Sequence, residues 1–481
     1  MAHEKKMLII HGYSDGTSSF QSLKSFFVKK AGYKPENVHL LKYDSMNDDA
    51  NFKDFADKLD SEYSRIFGKE RIDVTIHSTG ALVVRIWLAV RRRRQKELGQ
   101  PVDCPVKRIL MLAPANFGSD LAKMGQSYLG RIRATFFNDN SDPKDFLESG
   151  RVVLQGLEPA SPFQWDLSKV DLYQEDYFSD IAEADKKCYP FVFAAGNSYK
   201  GIGTKLVKQR KKPGTDGTVR ICGTSLNTRK CTITFLGPLQ PDGAAEGKLS
   251  WHNETKHSHI PFAVFNGFNH GSIIDTGFAD DEENQNDRQQ AYMEELGPGS
   301  FLIKALQVES NGDYKTLANE FKSLTDENYN QMADEYKDKY QQVFFKVRDD
   351  VDLPVNDYFL DFRVWNFDGT ENEVLTEEFD EKLEEKITAH SEDRSCRVMF
   401  LNINTVRSLE AQIKAANCKL TMDIQATSAN IDIKYRPGRW LVYDGVEDEG
   451  LSFMHPNTTT LIDIIVNRLE SDKILSVKEN V

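Results

Sequence analysis

The stretch RIDVTIHSTGALVVRIW, residues 71–87, contains the pattern on which the fold assignment depends. Its first seven residues are strand-like, and an apolar segment with helical spacing begins at Gly80. A serine between a strand and a helix lies at a sharp turn, where its hydroxyl projects from the carboxyl end of a sheet. We therefore predict a strand over 71–77, a helix over 80–97 and a nucleophilic Ser78 between them.

The motif departs from the common G-x-S-x-G pattern, because Ile76 takes the place of the first glycine. Gly80 supplies the second glycine, which lets the helix pack close to the turn. Taken alone, the same residues also fit a helix-capping serine on an ordinary strand-to-helix turn. The interpretation therefore depends on the rest of the chain.

Strands alternate with helices on both sides of this stretch, which predicts a mostly parallel sheet with helices on both faces. A segment from about 118 to 188 breaks the alternation and is interpreted as an inserted cap. The expected strands are Lys6–His11, Val38–Lys42, Val106–Ala113, Phe191–Ala195 and Ile260–Phe265, and the expected helices are Ser18–Ala31 and Asp49–Gly68.

A second motif, HGYSDG, directly follows the first expected strand. Acyl-transfer chemistry needs two fixed backbone N–H groups directed at the tetrahedral oxyanion. We expect them from Tyr13 or Gly12 in this loop and from Thr79 after the nucleophile. The alternative is a glycine-rich turn that only closes a strand-to-helix unit.

Two later motifs supply an acid and a base. Asp216 lies in GTDGTV and can accept a hydrogen bond from a histidine Nδ1–H. His270 lies in NHGS, after the last expected strand, on a loop that can bring its Nε2 to the serine. The alternative for Asp216 is an ordinary Asp-Gly turn. The competing histidines stand in the polar stretch SWHNETKHSH and are interpreted as exposed: His252, His257 and His259.

The four motifs occur in the order oxyanion loop, Ser, Asp, His, which is the chain order of α/β-hydrolases. The segments IHSTGALVVR, RILMLAPANFGS, DGTV and NHGSI resemble lipase-type members of that superfamily. The most similar groups are the lecithin–cholesterol-acyltransferase-like and the glycosylphosphatidylinositol inositol-deacylase-like enzymes. The resemblance covers roughly residues 7–275. It implies an α/β-hydrolase fold, acyl-ester substrates, no metal and no organic cofactor.

The expected cap is rich in aromatic residues, which line an acyl pocket or fill a small core. We favour a pocket that includes Phe117, Phe163 and Trp165.

Composition excludes several other classes of function. The 481-residue chain has a net charge of −13, which disfavours nucleic acid and anionic membranes as partners. It contains no run of about 18 apolar residues and no secretory signal pattern, so we expect a cytoplasmic protein, with leaderless export left open. No cysteine or histidine spacing indicates a zinc site.

The pattern changes towards the C-terminus. Strand-like runs such as QVFFKVRDD and KLTMDIQAT follow one another, with one helix-like stretch among them. We predict a catalytic domain over 1–300, a helical connector over 301–340 and a β-rich, sandwich-like accessory domain over 341–481. That last domain is expected to be mainly antiparallel, and we favour a protein partner or a purely structural role for it. Contact with a membrane surface is the alternative, which the net charge disfavours for an anionic membrane.

These observations favour a serine hydrolase that cleaves a lipid-like carboxylic ester. An acyltransferase or thioesterase would use the same three residues and differ only in the acceptor. A binding protein that has lost activity is the third alternative, and Ile76 is the feature that supports it. The head group, the acyl chain and the oligomeric state are left open by the sequence.

Overall fold

The computed structural model of the 481-residue chain describes most of the protein. The described residues are 5–12, 17–41, 51–124, 151–174, 178, 187–199, 213–235, 237–240, 242–252, 260–279, 286–382, 387–428, 433–444 and 454–469. They divide between two compact units. The first comprises Met1–Asn227 and Thr255–Asp338, and the second comprises Thr228–Glu254 and Lys339–Val481.

A six-stranded parallel sheet forms the centre of the first unit, with strand order β2-β1-β3-β4-β5-β9. Its strands are β1 (Met7–Ile10), β2 (Val38–Leu41), β3 (Ile72–His77), β4 (Val106–Leu112), β5 (Tyr189–Ala195) and β9 (Phe262–Phe265). Strands β1, β3 and β5 are buried along their whole length, as expected for a parallel sheet covered on both faces. The α/β prediction is confirmed, and each expected strand matches an observed one to within two residues at either end.

Eight α-helices lie in the described part of the first unit. They are α1 (Thr17–Ala31), α2 (Phe52–Phe67), α3 (Gly80–Glu97), α4 (Arg151–Leu157), α5 (Pro162–Ser168), α6 (Asp287–Met293), α7 (Pro298–Leu306) and α8 (Asn311–Gln331). One apolar core joins α1, α7 and α8 to the strands. Elsewhere α2 packs on α3, with the Tyr63 and Trp87 ring centres 5.4 Å apart. Helices α4 and α5 and a π-helical turn over Lys169–Gln174 lie within the expected cap.

The second unit is built from two β-sheets that share one apolar core. The larger has the order β12-β13-β10-β17-β6-β8 and the smaller β11-β14-β16-β7. The strands are β6 (Thr228–Thr234), β7 (Ala245–Glu246), β8 (Lys248–Trp251), β10 (Tyr340–Asp349), β11 (Asp357–Trp365), β12 (Thr388–Ala389), β13 (Cys396–Asn402), β14 (Lys419–Thr427), β16 (Gly438–Tyr443) and β17 (Thr459–Val466), beside a two-stranded pair of β15 (Lys434–Tyr435) and β18 (Arg468–Leu469). The predicted β-rich, sandwich-like architecture is confirmed.

The division of the chain differs from the sequence-based one in two places. Strand β6, which we assigned to the catalytic domain, pairs with β17, and the whole segment Thr228–Glu254 belongs to the second unit. Helices α7 and α8, expected partly as a separate connector over 301–340, belong to the first unit and pack on its sheet. Both differences arise because apolar side chains from distant segments share a core, which local periodicity does not reveal.

The second unit is also less uniformly antiparallel than expected. At the centre of the larger sheet, β17 runs parallel to both β10 and β6. Among its described residues, the helices are α9 (Glu373–Lys382) and α10 (Ile403–Ala415), and the sequence analysis anticipated only α9. The parallel pairing of β6 with β17 needs no local crossover, because β6 comes from a distant part of the chain.

Within the described ranges, no helix is long and apolar enough to cross a membrane.

Candidate active site

Ser78 occupies a strained turn between β3 and α3. Its φ is +53°, a left-handed conformation that is uncommon for a residue other than glycine. Such conformations cost about 1–3 kcal/mol and occur most often at functional sites. Ile76 is buried inside β3, so the strained turn forms without a glycine at that position.

Hydrogen bonds to neighbouring segments hold this turn. The Ser78 N–H donates to the Leu112 carbonyl at 3.2 Å, and the Ser78 carbonyl accepts from the Ala115 N–H at 3.0 Å. Gly80 then passes so close to β1 that an added Cβ would lie 3.1 Å from the carbonyl oxygens of Ile10 and His11. The second glycine of the motif therefore lies at a close backbone approach, where an added Cβ would force its neighbours to shift.

Asp216 is buried on a tight loop, with 1% of its surface exposed. One carboxylate oxygen, Oδ1, accepts the backbone N–H groups of Thr218 at 2.8 Å and Val219 at 2.7 Å. These bonds orient the carboxylate and compensate for its removal from water. The other oxygen, Oδ2, is left to receive a different donor.

That donor is His270. Its Nδ1 lies 2.8 Å from Asp216 Oδ2, and its backbone N–H donates to the Asp216 carbonyl at 3.1 Å. An ionised carboxylate only accepts, so Nδ1 carries the hydrogen, and in the neutral imidazole Nε2 has the free lone pair. The structure thus brings together Asp216 and His270, and their roles as acid and base stay a prediction.

The loop that carries His270 is itself anchored. Asn269 Oδ1 accepts the N–H groups of Gly271 and Ser272 at 3.1 and 2.9 Å. Tyr292 donates its hydroxyl to the Ile273 carbonyl at 3.1 Å, and burial raises the pKa of this phenol, so it stays a donor. The loop that carries His270 is therefore held by several hydrogen bonds.

His77 was not recognised as a site residue from the sequence. It precedes the serine, is 1% exposed, and places its Nε2 2.9 Å from the His270 carbonyl oxygen. The two imidazole ring centres are 4.7 Å apart. His270 therefore contacts the residue that directly precedes Ser78 in the chain.

The segment after β4 connects the serine turn to the Asp216 loop. Ala115 bonds the serine turn, as described above, while Ser119 Oγ donates to the Thr218 carbonyl at 2.6 Å. Between them, the Phe117 N–H donates to the Gly223 carbonyl at 2.9 Å. Residues 115–119 thus link the Asp216 loop to the Ser78 turn by hydrogen bonds.

A buried ion pair joins the cap to helix α3. Arg85 and Asp171 are 0% and 1% exposed, and the guanidinium bonds both carboxylate oxygens at 2.7 and 3.1 Å. Arg85 also donates to the Asn116 carbonyl at 3.0 Å and to Ser168 Oγ at 3.2 Å. Because both charges are fully desolvated, loss of either partner leaves an uncompensated charge. Sequence periodicity gave no sign of this pair.

The expected oxyanion donors are only partly described. Gly12 is buried directly after β1, and Thr79 is buried at the start of α3. Tyr13 lies outside the described residues. The role of these backbone groups stays a prediction.

The three expected pocket residues lie at or within the cap. Phe117 and Trp165 are buried, and the Phe117 ring lies 5.7 Å from the Arg85 guanidinium. Phe163 is half-buried and stacks on Phe52, with ring centres 4.9 Å apart. These contacts are those of a small core, and a pocket at this place stays a prediction.

The competing histidines are placed differently from His270. His252 lies in the second unit, where its Nε2 is 2.7 Å from Thr232 Oγ1. His257 and His259 lie outside the described residues. No group of three or more His, Cys, Asp or Glu among the described residues could hold a metal ion.

A parallel sheet in this strand order, a strained serine between strand and helix, and an aspartate–histidine pair on later loops define an α/β-hydrolase fold. The phospholipase PlaB from Legionella pneumophila, in complex with thio-NAD, has a similar structure: the TM-score is 0.78 at 19% identity, over 99% of this chain and 97% of that one. A second structure of PlaB gives 0.77 at 20% identity, with the same coverage. Staphylococcus hyicus lipase gives 0.35 at 11% identity, over 63% of this chain and 96% of that one.

The similarity to PlaB includes the second unit, because it extends over nearly the whole chain. No protein-family model and no curated sequence matches the chain. The resemblance to the two enzyme groups inferred from the sequence stays a prediction.

Proposed function

We propose that the protein is a serine hydrolase that cleaves the carboxylic ester of a lipid, with Ser78 as nucleophile, His270 as base and Asp216 as the acid that orients the base. The observation that carries this proposal is the Asp216–His270 hydrogen bond of 2.8 Å on a loop that contacts His77 beside the strained Ser78.

The reaction follows from the protonation states. His270 Nε2 accepts the Ser78 hydroxyl proton while Oγ attacks the ester carbonyl carbon. The tetrahedral intermediate collapses, the C–O bond to the alcohol breaks, and His270 returns the proton to the leaving alcohol. Water then attacks the acyl-enzyme with His270 again as base, and the carboxylic acid leaves as Ser78 regains its proton. Asp216 stays ionised and stabilises the imidazolium.

The negative charge of the tetrahedral intermediate requires donors near the serine. The Thr79 N–H at the start of α3 and the N–H of Gly12 or Tyr13 are our candidates. The helix dipole of α3 adds a favourable field at the same place.

A lipid-like substrate is proposed on two grounds. The sequence motifs resemble those of lipase-type enzymes, and the structurally similar PlaB is a phospholipase. The lipid substrate is tested by comparing hydrolysis of a short p-nitrophenyl ester with hydrolysis of diacyl phospholipid vesicles, with the released acid as the readout. Hydrolysis of the short ester alone would restrict the proposal to a small-molecule esterase.

Labelling with a fluorophosphonate tests the catalytic role directly, since only an activated serine reacts. We expect one modified residue, Ser78, in a digest analysed by mass spectrometry, with no labelling of Ser78→Ala or of heat-denatured protein. A folded wild-type protein that does not react would favour the binding-protein alternative.

The transferase alternative differs in the fate of the acyl group. With a radiolabelled acyl ester and added glycerol or long-chain alcohol, a hydrolase releases mainly free acid. Preferential transfer to the added alcohol at millimolar concentration would instead assign an acyltransferase.

A further inference from the structure

His77 makes a contact with the base that the reaction described above does not use. Its Nε2 lies 2.9 Å from the backbone carbonyl oxygen of His270, within a fully buried surrounding. A carbonyl oxygen only accepts, so the His77 Nε2 carries a hydrogen in either its neutral or its charged form. The direction of this hydrogen bond is therefore fixed by chemistry: His77 donates and His270 accepts.

We infer that His77 is a positioning residue for the proposed reaction: its imidazole N–H ties the loop of the base to the strand of the nucleophile. This inference rests on the proposed function for its catalytic consequence. The juxtaposition of the two histidines is independent of that function.

The backbone of His270 is bonded on both sides. Its N–H donates to the Asp216 carbonyl, and its carbonyl accepts from His77. The side chain bonds Asp216 as well. The His270 carbonyl is thus bonded to His77 of β3, whereas the His270 N–H and ring are bonded to Asp216.

The anchoring point is rigid. Strand β3 is buried along its whole length, and His77 is its last residue, directly before Ser78. Ser78 is the next residue in the chain after His77, and His270 is hydrogen-bonded to His77. This hydrogen bond therefore restricts the distance between Ser78 and His270. Misplacement of a base by a fraction of an ångström lowers the rate of proton transfer.

Ring contact is the competing explanation of the same geometry. The His77 and His270 ring centres are 4.7 Å apart, and Phe20 lies 6.1 Å from His77. Two substitutions separate hydrogen bonding from ring packing. His77→Gln keeps an N–H donor at the same number of bonds from Cα and removes the ring, whereas His77→Phe keeps a ring and removes the donor.

The experiment measures the second-order rate constant for fluorophosphonate labelling of the full-length protein, and kcat and KM for a short ester. A neutral hydrogen bond lost from a positioning contact corresponds to a fall of about three- to tenfold. We expect this fall in kcat and in labelling for His77→Phe, with KM unchanged, and rescue to near the wild-type rate in His77→Gln. Equal rates for His77→Phe and wild type would overturn the inference, and so would an equal loss in both variants.

Amide hydrogen exchange of residues 266–275 supplies a readout that does not need activity. Loss of the His77 donor should increase exchange at this loop in His77→Phe, while His77→Gln keeps the wild-type protection. If the wild-type protein does not react with the probe, the proposed function fails, and the exchange data still decide whether His77 holds the loop. Unchanged exchange in His77→Phe would overturn the positioning role on its own.

Discussion

The two units differ in the distance along the chain between the strands that pair. In the first, strands β1 to β5 follow one another with helices between them, and β9 joins the sheet only after the segment Thr228–Glu254 of the second unit. The parallel sheet of this unit is evident from local periodicity. In the second, β6 from Thr228–Glu254 pairs with β17 near the end of the chain. Local periodicity thus predicts where strands occur, whereas the pairing of one strand with another depends on which distant apolar faces become buried together.

Truncation after residue 338 tests this comparison and has the largest expected effect. It removes β17 and leaves β6 with an unpaired edge and with the buried side chains of Cys231 and Ile233 exposed to water. Unpaired, apolar edges promote aggregation. We expect insoluble protein, measured as the soluble fraction after expression.

A second deletion sharpens the same test. Two hydrogen bonds join Asn227 to Ile260. Asn227 Nδ2 donates to the Ile260 carbonyl at 2.8 Å, and the Ile260 N–H donates to Asn227 Oδ1 at 3.0 Å, so the two ends of the segment 228–259 are adjacent. Replacing 228–259 by a short Gly-Ser linker in the truncated chain should restore soluble protein that labels with the fluorophosphonate. Soluble truncated protein without this deletion would contradict the assignment of β6 to the second unit.

Ser78→Ala addresses the chemistry of the first unit. Removal of one member of a catalytic triad lowers the rate by about 10⁴- to 10⁶-fold. We expect this loss with a p-nitrophenyl ester and an unchanged circular dichroism spectrum. Ser250→Ala, on strand β8 of the second unit, is the matched control and should keep the wild-type rate. A Ser78→Ala protein with near wild-type turnover would refute the role of the serine.

Asp216→Asn should cost about 10⁴-fold in kcat. The asparagine oxygen can still accept the N–H groups of Thr218 and Val219, so its NH₂ would face His270. His270 Nδ1 must then accept, which moves the ring hydrogen to Nε2 and removes the base. The measurement is ester turnover, and Asp275→Asn on the same loop is the control with little expected change.

The fold of the first unit and three residues of the candidate site, Ser78, Asp216 and His270, could be proposed from the sequence. These residues could be proposed because each belongs to a pattern of neighbouring residues: strand β3 and helix α3 around Ser78, the Asp-Gly turn at Asp216 and the His-Gly turn at His270. The Arg85–Asp171 ion pair and the His77–His270 hydrogen bond could not be predicted. Each joins residues far apart in the chain, and hydrophobic periodicity gives no information on such polar contacts. Pairing of β6 with β17 was missed for the same reason.

Ile233→Ala tests the packing of the second unit. Ile233 is fully buried in β6 and belongs to the core shared by the two sheets. Deleting this side chain should lower the free energy of unfolding by about 2–5 kcal/mol. Urea denaturation measures it, and Thr234→Ala, at a half-buried position of the same strand, should change it by less than about 0.5 kcal/mol. Equal effects of the two would indicate that β6 is not part of the core.

Gly80→Ala has the smallest expected effect and tests whether the close approach behind the serine is required. Its new Cβ would lie 3.1 Å from the carbonyl oxygens of Ile10 and His11, which are backbone atoms and cannot rotate away. Helix α3 must then move from β1, at a cost of about 1–3 kcal/mol, and Ser78 moves with it. We expect a lower free energy of unfolding together with slower fluorophosphonate labelling.

The matched control is Gly312→Ala in α8, where the nearest heavy atom to an added Cβ is Ser310 Oγ at 3.6 Å. Alanine is the better helix former, so this change should leave stability unchanged or raise it by up to about 1 kcal/mol, with labelling at the wild-type rate. If Gly80→Ala matched Gly312→Ala in its free energy of unfolding and its labelling rate, helix α3 would be able to move away from β1 without displacing Ser78. The strained φ of Ser78 would then be set by its own hydrogen bonds to Leu112 and Ala115, and the second glycine of the motif would be dispensable.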